Sequence, residues 1–219
     1  MPNSTPIDLT YSLDPTTPVF PNYPHVEIGV LESTRYCRLD GRRSLNSTKL
    51  SLGVHCGTHM DAPFHFFEDG TTIDQVPLDV CAGPALVVDL TPISAREPID
   101  ARHLQAHESK LRDLRKLVLR TDWSKQWGRP EYFADHPVVT QEAAQFMVDC
   151  SVQLVGVDFP SLDHPPFPAH VTLLSQGIVI VENLTNLLAV QREIFNLVVL
   201  PLKITGRDGS PVRAIALEA

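Results

Sequence analysis

The chain has 219 residues, 43% of them hydrophobic, and a formal net charge of −8. That length suits a single domain over residues 1–219 with a substantial core, and the composition excludes a disordered or membrane-like chain. The acidic balance argues against a nucleic-acid partner, which needs a basic face.

The first residues, M-P-N-S-T-P-I-D, carry neither the basic start nor the apolar segment of a signal peptide. No apolar run approaches the ~20 residues of a membrane span, so the expectation is a soluble, cytoplasmic protein. Ile7, Leu9, Tyr11 and Leu13 alternate with Asp8, Thr10, Ser12 and Asp14, which predicts a strand. Pro15, Pro18, Pro21 and Pro24 then forbid regular structure and leave a loop that carries Phe20 and Tyr23. Residues 26–37 and 46–55 read as further strands, with Gly41-Arg42-Arg43 at the turn between them.

The stretch from Val54 to Gly70, V-H-C-G-T-H-M-D-A-P-F-H-F-F-E-D-G, holds His55, His59, Asp61 and His65 within eleven positions. Imidazole and carboxylate are ligands that borderline and harder divalent ions prefer. Gly57 and Pro63 are poor helix-interior residues, and Leu50, Leu52 and Val54 approach with the period of a half-buried strand. His55, His59, Asp61 and His65 share one parity, yet ten extended residues span roughly 33 Å. The chain must turn, and Gly57 and Ala62-Pro63 are where it can. The expectation is a strand end feeding an irregular ligand loop. Cys56 falls on the other parity and reads as packing. The four cysteines, Cys37, Cys56, Cys81 and Cys150, are widely spaced without C-x-x-C, as expected of reduced thiols.

Ala85–Leu90 reads as a buried strand, Asp100 to about Arg112 as a helix and Lys116–Thr121 as a strand. His103 and His107 stand four apart on that helix, but no carboxylate partner is indicated and the neighbouring charges read as a solvated face. Thr140 is placed to cap a helix through about Asp149, with Glu142 in the first turn. Val152–Val157 is the next buried strand, followed by the proline-rich loop F-P-S-L-D-H-P-P-F-P-A-H that ends at His170. A short helix over Ala169–Gln176, a strand Ile178–Val181 delivering Glu182, and closing strands Phe195–Leu202 and Val212–Leu217 complete the chain. Pattern alone gives an α/β or α+β fold with a mixed sheet.

H-C-G-T-H-M-D-A-P-F-H-F resembles the H-x-G-T-H-x-D-x-P-x-H signature of the cyclase family of metal-dependent hydrolases, which includes bacterial kynurenine formamidases and isatin hydrolases. His170 and Glu182 stand at the family's downstream spacing, and D-F-P-S-L-D and the closing S-P-V-R-A also look familial. The resemblance implies a swivelling β/α/β fold, a mixed sheet or barrel-like core flanked by helices. It implies His55, His59, Asp61, His170 and Glu182 as ligands of one or two divalent ions, Zn²⁺ or Mn²⁺, with Asp61 and Glu182 bridging when two are bound. His65 takes the family's general acid/base position; the alternative is a sixth metal ligand or a residue that orients one. Asp158, Ser161 and Asp163 are expected to stiffen the loop or to hydrogen-bond a ligand imidazole. In the family the proline loop presents a Trp to the substrate; here Phe20 keeps an aromatic wall.

The implied activity is hydrolysis of a C–N amide bond in a small aromatic or cyclic substrate, N-formylkynurenine first, isatin or another cyclic amide or lactone second. A homodimer or homotetramer is implied as well. Alternatives from other classes are a metal-stabilised binding protein without turnover, and a lyase or dehydratase using the same metal. His65 and Glu182, whose loss would signal the binding protein, are both present.

Overall fold

Strands with period-two burial form one dominant sheet. The computed structural model describes residues 5–33 and 45–218, and the backbone alone of 38–39 and 42–43. Its strands are β1 (Ile7–Asp8), β2 (Glu27–Glu32), β3 (Arg38–Leu39), β4 (Arg42–Arg43), β5 (Ser47–Ser51), β6 (His59–Asp61), β7 (Ala82–Asp89), β8 (Pro98–Ile99), β9 (Lys116–Arg120), β10 (Val138–Val139), β11 (Leu154–Val157), β12 (Val179–Glu182), β13 (Ile194–Pro201) and β14 (Gly209–Leu217). The helices are α1 (Leu78–Cys81), α2 (Arg102–Gln105), α3 (Glu108–Leu114), α4 (Glu131–Ala134), α5 (Gln141–Asp149) and α6 (Pro168–Leu174).

β7, β9, β11 and β12 run parallel. β13 returns antiparallel on β7, and β14 antiparallel on β13. β6 sits antiparallel between β12 and β14, so the order β14–β13–β7–β9–β11–β12–β6 closes on itself, with β1 added beside β14. The result is the expected mixed α/β architecture, a barrel-like sheet flanked by helices.

Alternation sorts the side chains between two cores. Val118, Leu154, Val179 and Val181 point inward with Leu197, Val199 and Ala214. Leu117, Leu119, Val155, Val157 and Ile180 point outward against Ala143, Ala144, Met147 and Leu173 of α5 and α6. Each Val, Leu, Ile or Met among them contributes about 1.5–3 kcal/mol on burial. The same parity places the site: Met60 and Val181 are in the inner core, so His59, Asp61 and Glu182 face the outer, helix-covered side.

Thr140 caps α5, its side-chain oxygen accepting from the Ala143 N–H at 3.1 Å. α6 opens on Pro168, whose missing N–H costs nothing at that position, and Gly177 follows the helix at φ +75°.

Several expectations need correction. The strand predicted over Ile7–Leu13 is a ladder only at Ile7–Asp8, because hydrogen bonds from Thr10 Oγ1 to Ala214 O and from the Tyr11 N–H to Thr58 Oγ1 replace ladder pairing. The helix from Asp100 breaks into α2 and α3 at Ala106–His107, and both histidines have carboxylate neighbours, His103 with Asp100 at 3.3 Å and His107 with Glu193 at 3.4 Å. His59–Asp61 is strand, so the ligand stretch is irregular only on either side of it. Arg42 and Arg43 pair with β3 instead of forming the turn. Gly41, Cys37 and the last residues of the strand predicted over 26–37 lie outside the described residues.

Gly209 occupies the junction of β14 with β6, where a Cβ would lie 2.8 Å from both the Met60 carbonyl oxygen and His55 Cε1. Backbone on one side leaves no easy relief. Gly209→Ala is expected to cost about 1–3 kcal/mol of stability, read as a lowered midpoint in urea denaturation; an unchanged midpoint would contradict this account of barrel closure.

Candidate metal centre

β6 and β12 assemble the centre by register. His59 lies directly across from Glu182 in the ladder, and Asp61 follows His59 on the same face. His59 Nε2 therefore sits 3.4 Å from both Asp61 Oδ1 and Glu182 Oε2. His55 reaches in from the turn before β6, its Nδ1 2.6 Å from Asp61 Oδ1. His170, on α6, brings Nε2 to 3.1 Å from Glu182 Oε1 and 3.9 Å from Asp61 Oδ2. The result is two buried ligand triads, His55–His59–Asp61 and Asp61–His170–Glu182, that share Asp61, with a third and less buried group, His55–His65–Asp208, beside them.

The second nitrogen of each imidazole is committed elsewhere. His55 Nε2–H donates to Asp208 Oδ2 at 2.7 Å, His170 Nδ1–H to Asp163 Oδ1 at 2.5 Å, and His59 Nδ1–H to the Gly57 carbonyl at 2.9 Å. These bonds set the tautomers. They leave His55 Nδ1, His59 Nε2 and His170 Nε2 aimed at the two carboxylates, as the nitrogens that would bind an ion once they lose their protons. Three imidazole nitrogens and two buried carboxylates make a donor set for a borderline divalent ion, so the residues fit a metal. His55, His59 and Asp61 would hold one ion, and Asp61, His170 and Glu182 a second.

Electrostatics agree with that assignment. Burial pulls the His55 imidazole down, but the Asp61 charge and the bonds to Asp208 and Asp61 outweigh it and lift the pKa to about 9. His59 and His170 rise to about 10 against the same burial, the first through Asp61 and Glu182, the second through Asp163 and Glu182. Burial also disfavours the Asp61 charge, yet His55 and His59 hold this carboxyl well below its usual range.

His65 stands apart. It ends the single turn Pro63–His65, with its ring 4.0 Å from that of His55 and edge-on to Phe66 at 4.9 Å. Its nearest carboxylate contact is Asp208 Oδ2 at 3.8 Å, and burial shifts its pKa down. Over the cluster lies a cavity of about 160 Å³, lined by Phe20, Tyr23, Phe167 and Ser161 together with His55, His59, Asp61, His65 and Glu182. Phe20 thus lines the cavity of its own chain, braced by Phe133 at 4.7 Å.

All seven residues singled out in the sequence meet at this place. Of the loop residues, Asp163 bonds His170 and Ser161 Oγ donates to the Asp163 carbonyl. Asp158 instead ties β11 to the end of β9 through Thr121 and Asp122; burial raises its pKa to about 7, against the pull of those donors. Asp208 was not legible. Within G-R-D-G it reads as a turn residue, and its partner His55 is 153 positions away.

The Cyclase family model, described as "Putative cyclase", matches residues 7–164. A kynurenine formamidase of Bacillus cytotoxicus is 38% identical over 183 residues, covering 82% of this chain and 83% of that protein. The structure of isatin hydrolase A from Labrenzia aggregata, bound to benzyl benzoate, superposes with a TM-score of 0.84 at 25% identity, covering 97% of this chain and 93% of that one. A "Potential Metal-Dependent Hydrolase With Cyclase Activity" superposes with a TM-score of 0.77 at 26% identity, covering 98% of each chain. No helix among the described residues is long and apolar enough to cross a membrane.

The neighbouring carboxylates raise the pKa of His55, His59 and His170 to about 9–10, so an ion that binds them must displace protons. Binding of Zn²⁺ to chelator-stripped protein at pH 7 is expected to release protons, and affinity to fall as pH falls. Calorimetry in buffers of different ionisation enthalpy reads this; an observed heat independent of buffer would contradict it.

Proposed function

The chain belongs to the Cyclase family and is a metal-dependent amide hydrolase; from that premise we propose that it cleaves the C–N bond of an N-formyl arylamine, N-formylkynurenine first among them. The observation that carries this reading is an aromatic-walled cavity opening directly onto the carboxylate–imidazole cluster, with His65 on its margin.

Phe20, Tyr23 and Phe167 would hold an aryl ring and set its distance from the cluster, while excluding water from the reacting face. When bound, a divalent ion supplies Lewis-acid polarisation of the carbonyl and a more acidic water. His65 does the proton work. Burial favours its neutral form, which accepts a proton from the attacking water and returns it to the departing nitrogen. Water adds to the carbonyl carbon, the C–N bond breaks, and formate and the free arylamine leave. Asp208, in contact with both His55 and His65, sets the spacing between ligand and base. Zn²⁺ and Mn²⁺ both suit the donor set.

A second reading has its own support. Among the described residues the cavity lining holds no Lys or Arg to meet the α-carboxylate of an amino acid. A compact, uncharged cyclic amide such as isatin would need none.

The two are separated by following N-formylkynurenine and isatin hydrolysis by absorbance with Zn²⁺- or Mn²⁺-loaded protein. Turnover of one or both is expected, with His65→Ala lowering kcat by about 10²–10⁴-fold. Metal-loaded protein that turned over neither, or a His65→Ala variant as fast as the parent, would overturn the proposal.

A further inference from the structure

The three ligand imidazoles are not anchored alike. His55 and His170 each donate to a carboxylate, whereas His59 donates to a main-chain carbonyl, that of Gly57. A carbonyl carries less charge than a carboxylate and holds a ring less firmly. Gly57 also sits at φ +61°, in a turn where position depends on its surroundings. Something must hold that carbonyl still.

The structure shows what does. Asn183, the residue after Glu182, donates from Nδ2 to the Gly57 carbonyl at 2.9 Å. Its Oδ1 accepts from the Tyr132 hydroxyl at 2.7 Å. The orientation of the carboxamide is unambiguous, since the Gly57 oxygen only accepts and must face the amide nitrogen. Two N–H donors, Asn183 Nδ2 and His59 Nδ1, converge on the Gly57 oxygen, each at 2.9 Å; that oxygen can only accept, so holding it in place opposes the tautomer of His59 that would carry its proton toward the metal. The Asn183 main chain is fixed too: its carbonyl accepts from Thr58 Oγ1 at 2.6 Å, and its N–H donates to Phe159 O at 3.1 Å. Asn183, Tyr132 and His59 are all buried.

Tyr132 belongs to α4. Its carbonyl accepts from Trp123 Nε1 at 3.0 Å, and its ring packs edge-on to Trp127 at 5.1 Å. We infer that Tyr132 is a positioning residue for the metal centre: through the Asn183 carboxamide and the Gly57 carbonyl, its hydroxyl fixes the tautomer and aim of His59. The next residue, Phe133, braces Phe20 of the substrate wall, so one turn of helix sets both a metal ligand and the wall above it. This inference rests on the metal-centre reading.

Tyr132→Phe tests it, removing one hydroxyl while keeping the ring contacts. The probe is Co²⁺, titrated into stripped protein against a chromophoric chelator, with the visible Co²⁺ spectrum recorded. Tyr132→Phe is expected to bind Co²⁺ about 10-fold more weakly and to shift the spectrum. Asn183→Gly, which suits the residue's φ of 59°, removes the carboxamide and is expected to weaken binding at least as much. If Tyr132 acts through Asn183, the double variant binds no more weakly than Asn183→Gly alone. Parental affinity and spectrum in Tyr132→Phe, or fully additive losses in the double variant, would overturn the inference. Failure of the parent protein to bind Co²⁺, or binding indifferent to His59→Ala, would bring down the metal-centre reading itself.

Discussion

Two carboxylates buried on neighbouring strands are the constraint from which the rest of the site follows. Asp61 and Glu182 are 1% and 3% exposed, and the register of β6 against β12 sets them on one face, against the small cavity that they line. Two such charges roughly 5 Å apart repel by about 3 kcal/mol even at an effective dielectric of 20, before either pays for desolvation. Positive charge must sit between them. Three imidazoles occupy that space, and their ring nitrogens aim at the carboxylates because the opposite nitrogens are held by Asp208, Gly57 and Asp163. A dication meets the same electrostatic demand more completely than three protonated rings, which is why the geometry reads as a metal centre and not as a cluster of buried ion pairs.

The barrel supplies what this arrangement needs, which is register. A one-residue slip of β6 would turn Met60 outward and send His59 and Asp61 into the apolar interior. Closure against both β12 and β14 forbids the slip from two sides. The junction also brings Asp208, just before β14, to His55, with the Ala62 N–H donating to the Asp208 carbonyl at 2.9 Å. Closing the barrel and anchoring a ligand are therefore one structural event.

The ligands were legible because their spacing is local and their types are few. His55, His59 and Asp61 fall within one turn and one short strand, and His65 ends the single turn that follows. His170 and Glu182 were legible through the family resemblance, since a helix-to-strand separation carries no period of its own. The anchors were harder to see. Asp208 and Gly57 act through long-range or main-chain contacts, and Asn183 resembles any polar residue after a buried strand. Propensity also misled where side chains displaced the ladder, as at Thr10 and Tyr11, and where the helix after Asp100 broke at Ala106.

Histidine identity alone does not assign a role; partners do. His55, His59 and His170 each have a carboxylate within 3.4 Å and are lifted to about 9 or 10. His65 stands 3.8 Å from its nearest carboxylate contact, against Phe66, and moves the other way. His136, stacked on Phe159 with no carboxylate bond, falls to about 4. The first group is held by carboxylates, the last is buried away from them, and His65 lies between, with burial the largest influence on it. Phe66 does not divide these rings, since it stacks on His170 at 5.3 Å as well as meeting His65 edge-on; what differs among them is how closely a carboxylate approaches each imidazole.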